Sequence, residues 1–343
     1  MPKEVIKKLA EKGYLSASFP KEYGGLGLDP VNYGLFQEEI GKVSCAVRAL
    51  ITVSTSLFGE TLIRCGDKYQ KNKYLLLLAS GEKIGAFALT EPEVGTDAKS
   101  IKTNYVKEDD MYVINGSKKW ITYGDLADFF LVIAKSDEGK TSAFIVERDF
   151  DGVSTEAIEG LMAGNGTHIG KIEFKDVKVP KENLVGLEGS GFNYVTSTSL
   201  DYGRYSIAWA GVSIAEAALD AMVSYSRKRV QFDKKICNHQ YIQGFIANAT
   251  AKIHAARALC ISAGNKRAEK SQDAIIETVM AKYIASKVAM EVATDALQVH
   301  GGNGISSDYV VERLFREAKV LEIIEGTTQV LNMVIARYSL THH

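Results

Sequence analysis

Residues 281–299 read AKYIASKVAMEVATDALQV. Ala281, Ile284, Val288, Val292, Ala296 and Val299 recur at three- and four-residue steps, so they share one face of a helix of about five turns. Lys282, Lys287, Glu291 and Asp295 fall off that face and are expected to point into solvent. An apolar face this long must be covered by other helices. The sequence supplies them: proline is absent after Gly191, and amphipathic patterns continue to the C-terminus. Residues 188–343 therefore predict a helical bundle.

The pattern changes upstream. Between Gly85 and about Val185 short β-favouring runs appear at Met111–Ile114, Phe129–Ala134, Ser142–Val146 and Lys171–Val177. Asn115-Gly116 sits between two of them as a hairpin turn. Before Ile84 the period is helical again: Val5, Ile6, Leu9 and Ala10 recur at helical spacing, a Gly-rich connector covers Lys21 to Pro30, and more helices follow to Leu78. The order is a helical block (1–84), a β block (85–187) and a helical block (188–343). That is an α protein with a small β domain, and it excludes a doubly wound parallel sheet.

Composition narrows the function. The chain has 343 residues, enough for about two domains or one multilayered unit. Its 41 Lys and Arg against 42 Asp and Glu leave a formal charge of -1, with no basic excess to hold a nucleic-acid backbone. Cys45, Cys65, Cys237 and Cys260 lack CxxC spacing and neighbouring His pairs, which argues against zinc and against a disulfide framework and for reduced thiols, and no metal is expected. Unbroken apolar runs such as Tyr74–Ala79 are too short to span a bilayer, and the charged start does not read as a signal segment, so a cytoplasmic location is expected. Gly164-Asn165-Gly166 to Gly170 has the wrong spacing for GxGxxG and precedes a strand, and no GxxxxGK[ST] occurs.

One carboxylate stands out. In Ile323-Ile324-Glu325-Gly326-Thr327-Thr328-Gln329, Glu325 is flanked by two branched apolar residues and an unhindered glycine. A carboxylate so placed can be held partly desolvated against a substrate, which raises its pKa toward that of a general base. The same residues also fit a helix-breaking loop with a solvated glutamate.

Four separated segments decide between these readings. They are Ala88-Leu89-Thr90-Glu91-Pro92-Glu93-Val94-Gly95-Thr96-Asp97 with Lys118-Lys119-Trp120-Ile121-Thr122; Arg227-Lys228-Arg229-Val230-Gln231-Phe232; Gln298-Val299-His300-Gly301-Gly302-Asn303-Gly304-Ile305 with Asp308, Arg313 and Glu317; and the Glu325 segment. Together, in this order and over nearly the whole chain, they resemble the acyl-CoA dehydrogenase family. The resemblance implies an FAD enzyme with an N-terminal helical domain, a middle β-barrel-like domain and a C-terminal four-helix bundle, assembled as a homodimer or homotetramer. It also implies an acyl thioester substrate on CoA or acyl carrier protein, with electron-transfer flavoprotein as a possible partner.

The resemblance assigns roles to residues. Glu325 is the catalytic base. Phe87, Leu89, Thr90, Thr96, Trp120 and Thr122 meet the flavin, with Trp120 as the flat wall that an isoalloxazine ring needs. Taken alone, Trp120 also fits a core tryptophan beside strand threonines. Arg229 resembles the arginine on the FAD pyrophosphate, where a guanidinium fork can hold two phosphate oxygens; on a bare helix it would be a solvated charge. Gln231, Phe232, Gln298, Gly301 and Gly302 complete that cofactor region, which in the family serves the neighbouring subunit. Thr327 and Gln329 look like contacts on the adenosine side. Asp201, Arg204 and Gly326 are the substrate-binding residues. Asp201 is the nearest competitor for the base, read as substrate positioning or a helix cap, because the family's second base position is Gly203 here.

Departures from the pattern bear on substrate. Val94 stands where a small residue is usual, Asp233 replaces a glycine and Ile324 an aromatic, and the chain starts at the family's second helix, so part of the N-terminal domain is expected to be missing. Ser199–Trp209, Val43–Arg48 and Leu321–Gly326 are similar to the acyl carrier protein dehydrogenases of polyketide pathways, including hydroxymalonyl and methoxymalonyl extender-unit assembly. The expectation is therefore dehydrogenation of a small carrier-bound acyl thioester. The alternatives are a short-chain or branched-chain acyl-CoA dehydrogenase of catabolism, and a catalytically idle flavin scaffold.

Overall fold

In the computed structural model, which describes residues 1–342, the chain folds as two compact units. Residues 1–28 and 49–203 form the first, and residues 29–48 and 204–343 the second.

The first unit carries one sheet of eight strands: β1 (Gly85–Ala88), β2 (Asn104–Glu108), β3 (Met111–Ile121), β4 (Phe129–Lys135), β5 (Thr141–Glu147), β6 (Val153–Ala157), β7 (Gly170–Pro180) and β8 (Leu184–Val185). Their order is β6-β7-β3-β2-β4-β5-β8, with β1 parallel to β4. β4 and β5 are buried on both faces for nearly their whole length, and Phe129–Ala134 and Ala143–Val146 read as unbroken apolar runs for that reason. Phe58, Leu62 and Tyr74 from the preceding helices pack with Phe129, Leu131 and Ile145 into one core.

The Asn115-Gly116 pair is not a hairpin turn. It lies inside β3, where the pairing with β7 shifts between Ile114 and Gly116. Asn115 exchanges hydrogen bonds with Asp176 across that irregularity, accepting from its backbone N–H at 2.8 Å. The turn between β2 and β3 is instead Asp109-Asp110, with Asp109 at φ 50°. Asp as well as Asn tolerates the left-handed region, so the two sites compete for the same sequence signal.

The second unit is helical. Asp29 accepts from the N–H groups of Val31 and Asn32 and starts helix Pro30–Val43, with Pro30 in the first turn. That helix approaches Trp209 so closely that a Cβ on Gly34 would sit 2.1 Å from the indole. Buried Glu38 accepts a forked pair of bonds from Arg257, whose other partner is Glu216. Helices Gln240–Ala268, Ala274–His300, Val310–Leu321 and Thr328–His342 complete the unit.

Two helical runs, Cys45–Cys65 and Gly191–Ser226, are long and apolar enough to cross a membrane, which the count of unbroken apolar residues missed. Their most apolar windows are 83% and 72% buried inside the protein, as in core helices.

Lys282 departs most from expectation. It is fully buried, whereas Lys287 and Glu291 are exposed and Asp295 is half-buried. Helix Ala274–His300 is covered on two sides: Thr278, Lys282, Ser286, Ala289 and Ala293 form a second buried stripe beside the first.

Candidate active site

The loop after helix Val310–Leu321 is built to display one carboxylate. Ile323 and Ile324 donate to the Val320 carbonyl, and Thr328 donates to the Glu322 carbonyl, so the chain reverses tightly. Glu325 is left at φ 57° and Gly326 at φ 100°. A side chain at 326 would be strained in that backbone and would meet the Arg204 guanidinium at 3.4 Å, so glycine is required.

Two cations hold the strained pair from behind. Arg204 Nε donates to the Glu325 carbonyl at 2.9 Å, and Lys282 Nζ donates to the Gly326 carbonyl at 2.8 Å. The side chain of Glu325 is treated differently: the residue is half-buried, yet Oε2 is fully buried and has no hydrogen-bond partner. Burial pushes its carboxyl up to about 7, against the opposing pull of Arg204, Lys282 and Arg48. Burial also pushes Lys282 down, to about 8. A desolvated carboxylate that titrates near neutrality and has an unused acceptor oxygen has the chemistry of a general base.

Asp201 lies inside helix Ser197–Ser226 rather than at its N-terminal cap position. It is half-buried, belongs to the first unit, and is followed there by buried Gly203. The helix-cap reading is thereby corrected.

In the first unit the structure brings the flavin motifs together. β1 ends at Ala88, and Leu89 and Thr90 lead into a tight turn in which Glu91 and Val94 exchange backbone bonds. Lys119 N–H donates to the Thr90 carbonyl at 2.8 Å, joining this strap to β3. Beneath it lies a fully buried ion pair: Lys118 Nζ donates to the Leu89 carbonyl at 2.9 Å and to Glu91 Oε1 at 2.8 Å. Glu91 also accepts from the N–H groups of Lys102 and Thr103. Burial works to raise its carboxyl, but Lys118 and these donors hold it below the ordinary value.

Immediately beyond, the pairing of β3 with β7 shifts between Lys118 and Ile121. A bulge re-aims side chains, and here it puts Trp120 at φ 64° with 49% of its surface exposed. Thr122 follows, half-buried. Phe87 packs against the core and Thr96 is exposed past the turn.

In the second unit Arg229, Gln231 and Phe232 follow helix Ser197–Ser226 and line, with His300, Gly301 and Gly302, a pocket of about 560 Å³. Phe232 is 88% exposed. A Cβ at Gly301 or Gly302 would meet nothing within 4 Å, so that backbone stays open to a close ligand. Gln298 is exposed on the preceding helical turn and is not part of the lining. Thr327 Oγ1 accepts from Val330 N–H at 3.3 Å and so caps the last helix, on whose first turn Gln329 is exposed. In the first unit the half-exposed Trp120 indole is suited to a flat ring, and in the second the arginine-lined pocket is suited to an anionic group.

Known proteins match the chain in sequence and in fold. The N-terminal, middle and C-terminal domain models of acyl-CoA dehydrogenase match residues 1–82, 86–177 and 189–340. The chain belongs to the acyl-CoA dehydrogenase family. It is 40% identical to the short-chain-specific acyl-CoA dehydrogenase of Megasphaera elsdenii, covering 97% of this chain and 88% of that one. It is 38% identical to the caffeyl-CoA reductase–Etf complex subunit CarC of Acetobacterium woodii, covering 98% and 89%. Among solved structures, butyryl-CoA dehydrogenase from Megasphaera elsdenii superposes with a TM-score of 0.95 at 39% identity, covering 99% and 90%. FkbI, titled for biosynthesis of the methoxymalonyl extender unit of the Fk520 polyketide, gives 0.92 at 29%, covering 100% and 94%.

The protein is thus an FAD oxidoreductase with the acyl-CoA dehydrogenase fold of helical, β and helical domains. Three features escaped the sequence reading: buried Lys282, the Lys118–Glu91 pair, and Arg48 as a neighbour of the base. Only Lys282 left a trace, in the small residues at 278, 286, 289 and 293 on its own side of the helix.

Proposed function

We propose that this acyl-CoA dehydrogenase oxidises a short acyl-CoA, with Glu325 removing the proton α to the thioester carbonyl. FAD supplies the acceptor for the hydride that leaves the β-carbon. The observation that carries this reading is the buried, unpartnered Oε2 of Glu325. A proton on a carbon next to a thioester is weakly acidic and offers no hydrogen bond in the ground state, so the base that takes it is best left without a competing donor. Arg204 and Lys282 bond to the backbone of the loop and leave that oxygen free.

The expected carrier-protein substrate gives way to CoA. The likeness to FkbI is real but weaker, at 29%, than the likeness to the Megasphaera butyryl-CoA dehydrogenase, at 39%. A comparison of butyryl-CoA with butyryl-acyl carrier protein, with an artificial electron acceptor, should give a kcat/KM at least about tenfold higher for the CoA ester. A preference for the carrier-bound ester would return the reading to polyketide chemistry. Likeness to an Etf-complex subunit favours electron-transfer flavoprotein as the physiological acceptor.

For the cofactor we assign the Leu89–Thr90 strap, Trp120 and Thr122 to the flavin ring, with Phe87 behind it and Thr96 beside the turn. Arg229, Gln231, Phe232, Gln298, Gly301 and Gly302 go to the FAD of a neighbouring subunit, and Thr327 and Gln329 to the adenosine side. Asp201, Arg204 and Gly326 position the acyl thioester. If the Arg229 pocket serves a neighbour's cofactor, flavin retention depends on assembly. Dilution of the homodimer or homotetramer should release FAD as the particle dissociates. A flavin-saturated monomer would refute the shared site.

A further inference from the structure

The base loop rests on a charge that no step of the reaction uses. Lys282 has no exposed surface, and its ammonium group finds one hydrogen-bond acceptor among the described residues, the Gly326 carbonyl at 2.8 Å. A buried ammonium with three donors and one neutral acceptor is poorly solvated, and a methionine of similar length would pack there without that cost. Tethering a carbonyl does not require a charge either.

The charge acts on Glu325. The charged groups that act on that carboxyl are cationic: Arg204 from helix Ser197–Ser226, Lys282 from helix Ala274–His300 and Arg48 from helix Cys45–Ile51. Glu322, on the loop's own side, interacts with Lys282. Arg204 is committed to the Glu325 carbonyl. Lys282 alone joins a backbone tether one residue along with full burial, where charge is least screened.

We propose that Lys282 is a positioning residue for the base: it fixes the Gly326 carbonyl and, through its charge, keeps Glu325 in the ionised form that can accept a proton. The inference rests on the reading of Glu325 as base. Removing the positive charge while leaving the loop in place destabilises the carboxylate, so the pH at which Glu325 ionises moves up by about one unit. The charge-retaining arginine variant leaves it nearly unmoved.

The test uses flavin-loaded Lys282→Gln, Lys282→Met and Lys282→Arg. Gln keeps a donor for the carbonyl without the charge, and Met keeps neither, so either uncharged protein that folds decides the matter. The first readout is the pH dependence of flavin reduction by butyryl-CoA in single turnover. The second needs no turnover: the infrared band of the protonated Glu325 carboxyl, identified by its loss in Glu325→Gln, followed against pH in substrate-free protein.

The expected result is an acidic limb and an infrared titration that both move to higher pH by about one unit in the uncharged variants and stay in place in the arginine variant. A uniform loss of rate with an unmoved titration would make Lys282 merely structural and overturn the proposal. If Glu325→Gln instead reduced flavin as fast as wild type, the base assignment itself would fall, whatever the lysine variants did.

Discussion

Glu325→Gln is expected to keep its FAD and slow substrate-driven bleaching of the flavin by about two orders of magnitude or more. The amide keeps the shape and the backbone held by Arg204 and Lys282 but cannot take the proton. Asp201→Asn should chiefly weaken substrate binding. If Asp201→Asn abolished reduction and Glu325→Gln did not, the two roles would be exchanged.

The same substitution should also make the protein more stable. The unfolded carboxyl ionises near about 4.3, whereas burial pushes the folded one to about 7. Between those values the folded state holds a proton that the unfolded state has lost, so stability falls as pH rises through this window. Above it the ionised, buried carboxylate costs up to about 4 kcal/mol, at roughly 1.4 kcal/mol per pKa unit. Glutamine removes that cost. The variant should therefore melt several degrees higher than wild type at pH 8 and at the same temperature at pH 4. An equal gain at both values would show that ionisation is not the source.

Lys118→Met should be the most damaging single change in the flavin strap. Lys118 and Glu91 are almost wholly buried and face each other at 2.8 Å. Deleting the cation leaves a carboxylate in the interior, at a loss of about 3–5 kcal/mol, and frees the Leu89 carbonyl that Lys118 holds. Thermal unfolding should show the loss, with flavin released at lower temperature than in wild type. Adding Glu91→Gln to Lys118→Met should restore much of the stability, because the stranded charge is then gone. A Lys118→Met protein that unfolds within a degree of wild type would mean that the pair holds nothing.

The fold was readable where periodicity is one-sided. The runs of β3, β4, β5 and β7 and the apolar stripe of helix Ala274–His300 each have a single dominant pattern, and the structure contains them all. Asn115-Gly116 was misplaced because a bulge and a hairpin turn ask for the same residues, and only the partner strand distinguishes them. A charged residue off an apolar stripe reads as solvent-facing, whereas Lys282 lies on a helix that is packed on both sides. Glu325 was legible from its apolar neighbours and glycine. Its carbonyl tethers were not, since Arg204 and Lys282 come from helices far away in sequence, and tertiary pairing leaves no local signature. The short strands β1, β2 and β6 were missed because five residues or fewer carry too little alternation to register.

Helix Pro30–Val43 belongs to a unit whose remainder begins at residue 204, and this sets an order in time during synthesis. Glu38 leaves the ribosome 219 residues before Arg257, the cation it is buried with. At about 5–20 residues per second, the nascent helix waits roughly 10–40 s for its counter-charge. Through that interval Tyr33, Gln37 and Glu38 have no interior to enter, and the first unit can close around its sheet while they wait. Newly made chains should pass through an intermediate with this helix undocked, one that a holdase chaperone can bind. A circular permutant that starts after residue 48 and carries 1–48 at its end would reverse the order, so that the helix emerges after Arg257 and has no wait of its own.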